Sequence, residues 1–318
     1  MNMTEILIIA AQIIGGFVLL FLGGDWLVDG GVALARRFRI SPLVIGMTIV
    51  AFGTSAPELL VSLISAIKGS SGIAVGNVVG SNIANIGLIL GLTAIICPIE
   101  TDNRKVVANG SIMILASLLM MFFALHAGIS RIEGLILFLG VILFTVVSVR
   151  QGRMHEQEFE PADQEAKPMR LLAAIGLIVL SGAMLAFGAD ILIDGATTMA
   201  SALGVSDKII GLTVVALGTS LPELAASVAA AFKKQMDISI GNIIGSNIFN
   251  ILCVLGLSTS IKPIQLEFAD YRDDFIWMTA FSVFILLSTT LRHKKGRLGR
   301  TAGIIMLAAY AAYVCILI

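Results

Sequence analysis

Two carboxylates, Glu58 and Glu223, each close the same phrase, Gly-Thr-Ser-x-Pro-Glu, inside long apolar runs. The full copies are Gly46-Met-Thr-Ile-Val-Ala-Phe-Gly-Thr-Ser-Ala-Pro-Glu58 and Gly211-Leu-Thr-Val-Val-Ala-Leu-Gly-Thr-Ser-Leu-Pro-Glu223. Pro57 has no N–H and its ring clashes with the carbonyl of Gly53, four residues back; Pro222 does the same to Gly218. Lipid offers the freed carbonyls no partner. A carboxylate within a membrane segment marks a functional site. Loose carbonyls, hydroxyls and a carboxylate together make an oxygen-rich setting, which suits a hard cation such as calcium.

A second phrase is also written twice. Gly76-Asn-Val-Val-Gly-Ser-Asn-Ile-Ala-Asn85 matches Gly241-Asn-Ile-Ile-Gly-Ser-Asn-Ile-Phe-Asn250. Glycines four apart serve close helix packing. The amides and hydroxyls ask for more: Ser81 and Asn85 are four apart and share a helix face with Asn77. Some of these amides should bridge backbone groups of the broken helices, and others should face an ion. A cation accounts for both glutamates, since an unpaired buried carboxylate costs several kcal/mol and two together repel. A charge of −2 is neutralised by one divalent or two monovalent cations.

These residues need elements to hold them. The chain has 318 residues, 57% hydrophobic and 13% charged, with a mean hydropathy of +0.98. Apolar runs of about 20 residues recur along it, so it reads as an all-α polytopic membrane protein. Ten spans are expected, near 5–35, 41–67, 72–98, 106–126, 131–149, 170–200, 206–232, 237–262, 273–291 and 299–318. The first and sixth, at about 45 Å of helix against a core of about 30 Å, must tilt or protrude. Cys97, Cys253 and Cys315 lack ligand spacing, the histidines are scattered, and no basic run suits nucleic acid.

Adding 165 to a residue number maps Asp25 on Asp190, Asp29 on Asp194, Glu58 on Glu223 and Asn85 on Asn250, without a gap. The chain therefore divides into a first five-helix repeat (1–149), a polar linker (150–169) and a second five-helix repeat (170–318). Five is odd, so the second half enters the membrane in the opposite sense. Such inverted-topology repeats suit alternating access around a midplane site. Lys and Arg concentrate on one side, among them Arg36, Arg37, Arg39, Arg150, Arg153, Lys233 and Lys234. Lys68, Arg131, Lys208, Lys262 and Arg272 fall on the other. The richer side is cytoplasmic, which puts both termini outside. A bacterial-type plasma (inner) membrane is expected. Asp25 and Asp29, with Asp190 and Asp194, are either solvated helix ends or a cation-attracting rim.

The two doubled motifs resemble the alpha repeats of the sodium/calcium exchanger branch of the cation/calcium antiporter superfamily, prokaryotic type. The resemblance covers essentially the whole chain. It implies an antiporter and not an enzyme, carrying Ca2+ and Na+ with no cofactor and no obligate protein partner. A proton-coupled or potassium-dependent antiporter of the same fold is the alternative. The resemblance also implies ligands: Glu58 and Glu223 with the carbonyls of Thr54 and Thr219 at the centre, and Asn85 and Asn250 in the middle. Flanking sodium sites would use the Ala51 carbonyl, Ser55 and Ser246 on one side, and the Ala216 carbonyl, Ser220 and Ser81 on the other. Some prokaryotic members carry aspartate at the position of Asn250, so the number of sodium ions per calcium stays open. The short linker leaves no room for the regulatory domain of eukaryotic relatives.

Overall fold

The computed structural model describes residues 3–101, 103–126, 128–153, 169–204, 216–290 and 296–317. Most of the linker and the start of the expected seventh span (206–215), with Ser206, Lys208 and Gly211, lie outside the described residues. The rest is helical, joined by short loops. Seven helices are long and apolar enough to cross a membrane, and an eighth if a bent pair counts as one span.

Two long helices, α1 (Met3–Phe38) and α7 (Leu171–Ala202), lie against each other. Gly16, Gly23 and Gly30 recur every seventh residue of α1, so they line one stripe. A Cβ on Gly16 would sit 2.8 Å from the Gly188 carbonyl, and one on Gly23 3.2 Å from the Ser181 carbonyl. A Cβ on Gly30 would sit 3.3 Å from the Ala174 carbonyl. The partner numbers fall as the α1 numbers rise, so the helices run antiparallel. The glycines exist to let the two backbones touch.

The next element is broken. Helix α2 (Pro42–Thr54) and helix α3 (Ala56–Ile67) meet at a 49° bend. Ser41 caps α2, its Oγ accepting from the Val44 N–H at 3.4 Å. Pro57 lies in the first turn of α3, where the missing N–H would have had no helical partner. The proline thus starts the second helix more than it damages the first. Glu58 falls in that same first turn, where the helix dipole favours a negative charge. Helix α8 (Leu221–Phe232) repeats this with Pro222 and Glu223.

Helices α4 (Ser71–Ile96) and α9 (Met236–Ile261) form the centre, and the apolar span of α9 is 100% buried. Each contains a widened π turn, at Asn85–Leu90 and Asn250–Leu255; a third is at Gly46–Val50 in α2. Such turns recur at functional positions. The Gly-x-x-x-Gly reading holds for the second copy: a Cβ on Gly245 would sit 2.5 Å from Met47 Cα, and one on Gly241 3.2 Å from Gly46 Cα. Gly76 and Gly80 have no described neighbour that close.

Helices α5 (Asn103–Ala124), α6 (Arg131–Gln151), α10 (Phe268–Thr290) and α11 (Arg300–Leu317) flank this centre. Leu115, Phe122, Leu139, Leu143 and Ile304 are exposed on them, as lipid-facing side chains must be. Two short antiparallel ladders tie the loops. Strand β1 (Ile99–Thr101) pairs with β4 (Gly296–Leu298), Ile99 opposite Leu298. Strand β2 (Gly128–Ile129) pairs with β3 (Ile264–Gln265), Ile129 opposite Ile264.

The glycine seam makes a sharp prediction. Gly16→Ala places a Cβ 2.7 Å from the Leu192 Cβ, whereas Gly15→Ala meets nothing within 4 Å. Gly15→Ala should leave thermal stability in detergent unchanged or higher, by up to about 1 kcal/mol of helix propensity. Gly16→Ala should lower it by about 1–3 kcal/mol through overpacking. A thermal series followed by size-exclusion chromatography compares the two.

Candidate ion-binding site

The site lies where the two breaks meet α4 and α9. Glu58, Glu223, Thr54, Asn85 and Asn250 are fully buried, and Ser55, Ser81, Ser220 and Ser246 nearly so. Thr219 is partly buried. Ala51 opens the last segment of α2 and is buried. Ala216 opens a short helical piece, Ala216–Gly218, ahead of the second break.

Amides from the central helices repair the breaks. Asn77 Nδ2 donates to the Glu58 carbonyl at 3.1 Å and to Ser62 Oγ at 2.9 Å. Asn242 Nδ2 donates to the Glu223 carbonyl at 3.4 Å and to Ser227 Oγ at 3.0 Å. The amide oxygens close the circle across the halves. Thr54 Oγ1 donates to Asn242 Oδ1 at 3.2 Å, and Thr219 Oγ1 to Asn77 Oδ1 at 3.4 Å. Both threonine hydroxyls are therefore occupied with asparagines.

A second set joins α4 to α9. Asn82 Nδ2 donates to the Asn247 carbonyl at 3.2 Å, and Asn247 Nδ2 to the Asn82 carbonyl at 3.3 Å. Asn85 Nδ2 donates to Asn247 Oδ1 at 3.0 Å, and Asn250 Nδ2 to Asn82 Oδ1 at 3.1 Å. Each amide of Asn85 and Asn250 spends its N–H on this clasp. Their Oδ1 atoms are left buried with no partner.

Those two are not alone. Nine buried side-chain oxygens among the described residues lack a hydrogen-bond partner, and only Thr197 Oγ1 and Ser258 Oγ lie outside this constellation. The others are both Glu58 oxygens, Glu223 Oε2, Ser81 Oγ, Ser220 Oγ, Asn85 Oδ1 and Asn250 Oδ1. Buried polar atoms are otherwise almost always paired. Ionised carboxylate and amide oxygens are acceptors only, so they can take a cation or a hydrogen-bond donor. The remaining carboxylate oxygen, Glu223 Oε1, accepts from Ser55 Oγ at 2.9 Å and Ser246 Oγ at 3.4 Å. Ser55 follows the first break and so ties it to the glutamate of the second.

Among the described residues no three His, Cys, Asp or Glu cluster as a resident metal site would require. Beside the constellation, a cavity of about 670 Å³ opens between α2 and α7, lined by Phe52, Ala56, Ile178, Gly182 and Phe249 among others. Its walls are apolar. Asp25 and Asp29 do not enter the site; both bind Lys233 at the end of α8. Asp190 and Asp194 are exposed.

The family model described as sodium/calcium exchanger protein matches residues 8–150 and 173–318. The chain belongs to the sodium/calcium exchanger family. Its relatives include the provisionally named antiporter CaxA of Alkalimonas amylolytica, 41% identical over 304 residues, 94% of this chain and 95% of that protein. The sodium/calcium exchanger MaX1 of Methanosarcina acetivorans is 33% identical over 339 residues, 95% of this chain and 96% of that protein. Among solved structures, the sodium-calcium exchanger NCX_Mj soaked with 10 mM Na+ and 10 mM Sr2+ superposes with a TM-score of 0.83 at 33% identity. It covers 97% of this chain and 98% of that one. This member of the family is thus a helical integral membrane protein of the prokaryotic type.

The sequence motifs did not name Asn242 and Asn247 as partners for Thr54 and Asn85. Their repetition was the available signal, but the pairing crosses the halves and needed the fold. The clasp of this exchanger should behave as one unit. Asn82→Leu and Asn247→Leu should each destabilise the protein by about 1–3 kcal/mol, because each orphans a buried partner. The double variant should cost at least 0.5 kcal/mol less than the two added, the mark of coupled residues. Thermal unfolding of the four proteins in detergent completes the cycle.

Proposed function

We propose that this chain is a secondary antiporter that exchanges Na+ for Ca2+ by alternating access around the two-glutamate site. The observation that carries the reading is the concentration of buried, unpartnered oxygens around Glu58 and Glu223. The family and the likeness to NCX_Mj supply the ion pair to test first. No cofactor or partner protein is needed for this work.

The proposed architecture is ten spans in two inverted repeats of five, 1–149 and 170–318, joined by the linker 150–169. Helix α10 and the element ending in α8 complete the count. Mates 165 apart support it: Asn77 treats Glu58 and Ser62 as Asn242 treats Glu223 and Ser227. The positive-inside rule then puts both termini outside a plasma (inner) membrane.

Calcium would take the carboxylates of Glu58 and Glu223 and the carbonyls of Thr54 and Thr219, whose hydroxyls are engaged elsewhere. Asn85 and Asn250 would offer their free Oδ1 atoms in the middle. Sodium would use Ser55, Ser246 and the Ala51 carbonyl on one side, and Ser220, Ser81 and the Ala216 carbonyl on the other. Either load cancels the −2 charge. Only a neutralised site closes off from water at low cost, so loaded carriers cross and empty ones do not. That condition makes the protein an exchanger and not a leak.

Proteoliposomes loaded with sodium and diluted into sodium-free, pH-matched buffer should take up radioactive calcium, and dissipating the sodium gradient should stop it. Uptake driven instead by a pH gradient overturns sodium coupling. Glu58→Gln or Glu223→Gln should lower the flux at least 100-fold, about 2.7 kcal/mol in rate; retained flux refutes the ligand assignment. Voltage counts the ions. Two sodium ions per calcium give no current, whereas three move one charge per cycle, worth about 2.3 kcal/mol per 100 mV.

A further inference from the structure

We infer that Lys233 and Lys68 are the two halves of a charge latch, closed in alternation, that holds the α1–α7 pair against one end or the other of the ion-carrying core. The inference rests on the alternating-access reading above.

Lys233 follows the last turn of α8. Its Nζ lies 2.8 Å from Asp25 Oδ1 and 2.6 Å from Asp29 Oδ1. It also donates to the Asp25 backbone carbonyl at 2.8 Å. An ammonium has three N–H donors, and all three have an acceptor on α1. Asp25 and Asp29 are one turn apart, so both face the same lysine.

Every part of this contact exists a second time, 165 residues away. Lys68 follows the last turn of α3, as Lys233 follows α8. Asp190 and Asp194 stand on α7 as Asp25 and Asp29 stand on α1. Yet this second copy is open. Lys68, Asp190 and Asp194 are exposed, and among the described residues they form no ion pair. One of two equivalent latches is shut.

Packing follows the charges. Beneath the shut latch, a Cβ on Gly24 would lie 2.8 Å from the Ala225 carbonyl and 3.2 Å from the Ala226 nitrogen. The α1 backbone is therefore seated directly on α8. The counterparts of Ala225 and Ala226 are Leu60 and Val61 of α3, and they are 59% and 37% exposed. That face of α3 is open where the matching face of α8 is covered, and α7 carries Ala189 at the position of Gly24.

Both acid pairs ride on α1 and α7, which the glycine seam joins, and both lysines sit on the core. Exchanging the roles of the two halves opens one latch as it shuts the other. The lysine side chain is 26% exposed and the acids 37% and 50%, so water screens the contact. A latch that must open every cycle has to be weak. A pair with this exposure biases a two-state equilibrium by about fivefold.

The test uses the full chain with Cys97, Cys253 and Cys315 replaced and spin labels on Ile67→Cys, whose mate Phe232 stays exposed beside the shut latch, and Phe187→Cys, in liposomes. Pulsed dipolar spectroscopy reads the α3–α7 distance, which shortens when the Lys68 end closes. Lys233→Gln should raise the short-distance population about fivefold, and Asp25→Asn/Asp29→Asn should do the same. Lys68→Gln should lower it. Apparent calcium affinity on the two membrane faces should then shift in opposite directions, with the opposite sense for Lys68→Gln. Unchanged distances, or the same shift for Lys233→Gln and Lys68→Gln, overturn the latch. Spectroscopy separates the two ideas. Distances that shift in a protein without sodium-driven calcium flux keep the latch and refute the exchange reading. Flux with unmoved distances does the reverse.

Discussion

Two carboxylates buried together are the constraint on which the rest of the structure turns. A carboxylate without water or partner costs several kcal/mol, and a second one nearby adds repulsion. The chain lowers that cost by three means. It starts a new helix at each glutamate, so that unpaired N–H groups and the helix dipole face the charge. It threads asparagines past each break to satisfy the glutamate carbonyls. It offers serine hydroxyls to one carboxylate oxygen of Glu223. None of these supplies a positive charge. Under the exchange proposal that charge would come from the transported ion.

Division of labour follows. The parts that hold oxygens in place must not move relative to each other. They are tied by amides across the centre, Asn82 with Asn247 reciprocally, Asn85 to Asn247 and Asn250 to Asn82. The apolar span of α9, which carries Asn247 and Asn250, is buried throughout. Among the described residues no comparable amide network ties the α1–α7 pair to the core. Its own seam is glycine against backbone, and its contact to α8 is a close seat beside a screened charge cluster. The centre and the flank thus differ in the kind of contact used, polar and directional in one, small and smooth in the other.

Much of this was legible in the sequence because it is written in local spacing. The doubled Pro-Glu phrases, the ends of the long helices and the doubled asparagine phrases all survive in the fold. Boundaries moved by a few residues: the ninth expected span begins at Phe268 where the sequence suggested 273, since polar Asp270 and Arg272 conceal a helix already under way. What spacing could not supply is anything that pairs the halves. Thr54 finds Asn242 across 188 residues and Ser55 finds Glu223 across 168. Nor could it give the function of Pro57, which looks like damage to one helix until the break makes it the start of another. The equal glycine phrases gave no sign that only Gly241 and Gly245 have a described backbone pressed on them.

The halves are alike in sequence but not in what they do at one moment, and the departures agree with each other. Glu223 holds Ser55 and Ser246. Among the described residues, the matching Ser220 Oγ and Ser81 Oγ and both oxygens of Glu58 lack a partner within hydrogen-bond geometry. On the flank, Lys233 is engaged and Lys68 forms no ion pair among the described residues. The first half therefore carries the bare carboxylate and the bare helix face together. A symmetric core would leave nothing to choose between two ends of the membrane. A core whose hydrogen bonds favour one glutamate while its flank favours one ion pair has already broken that symmetry, and Glu58 is the less satisfied of the two carboxylates.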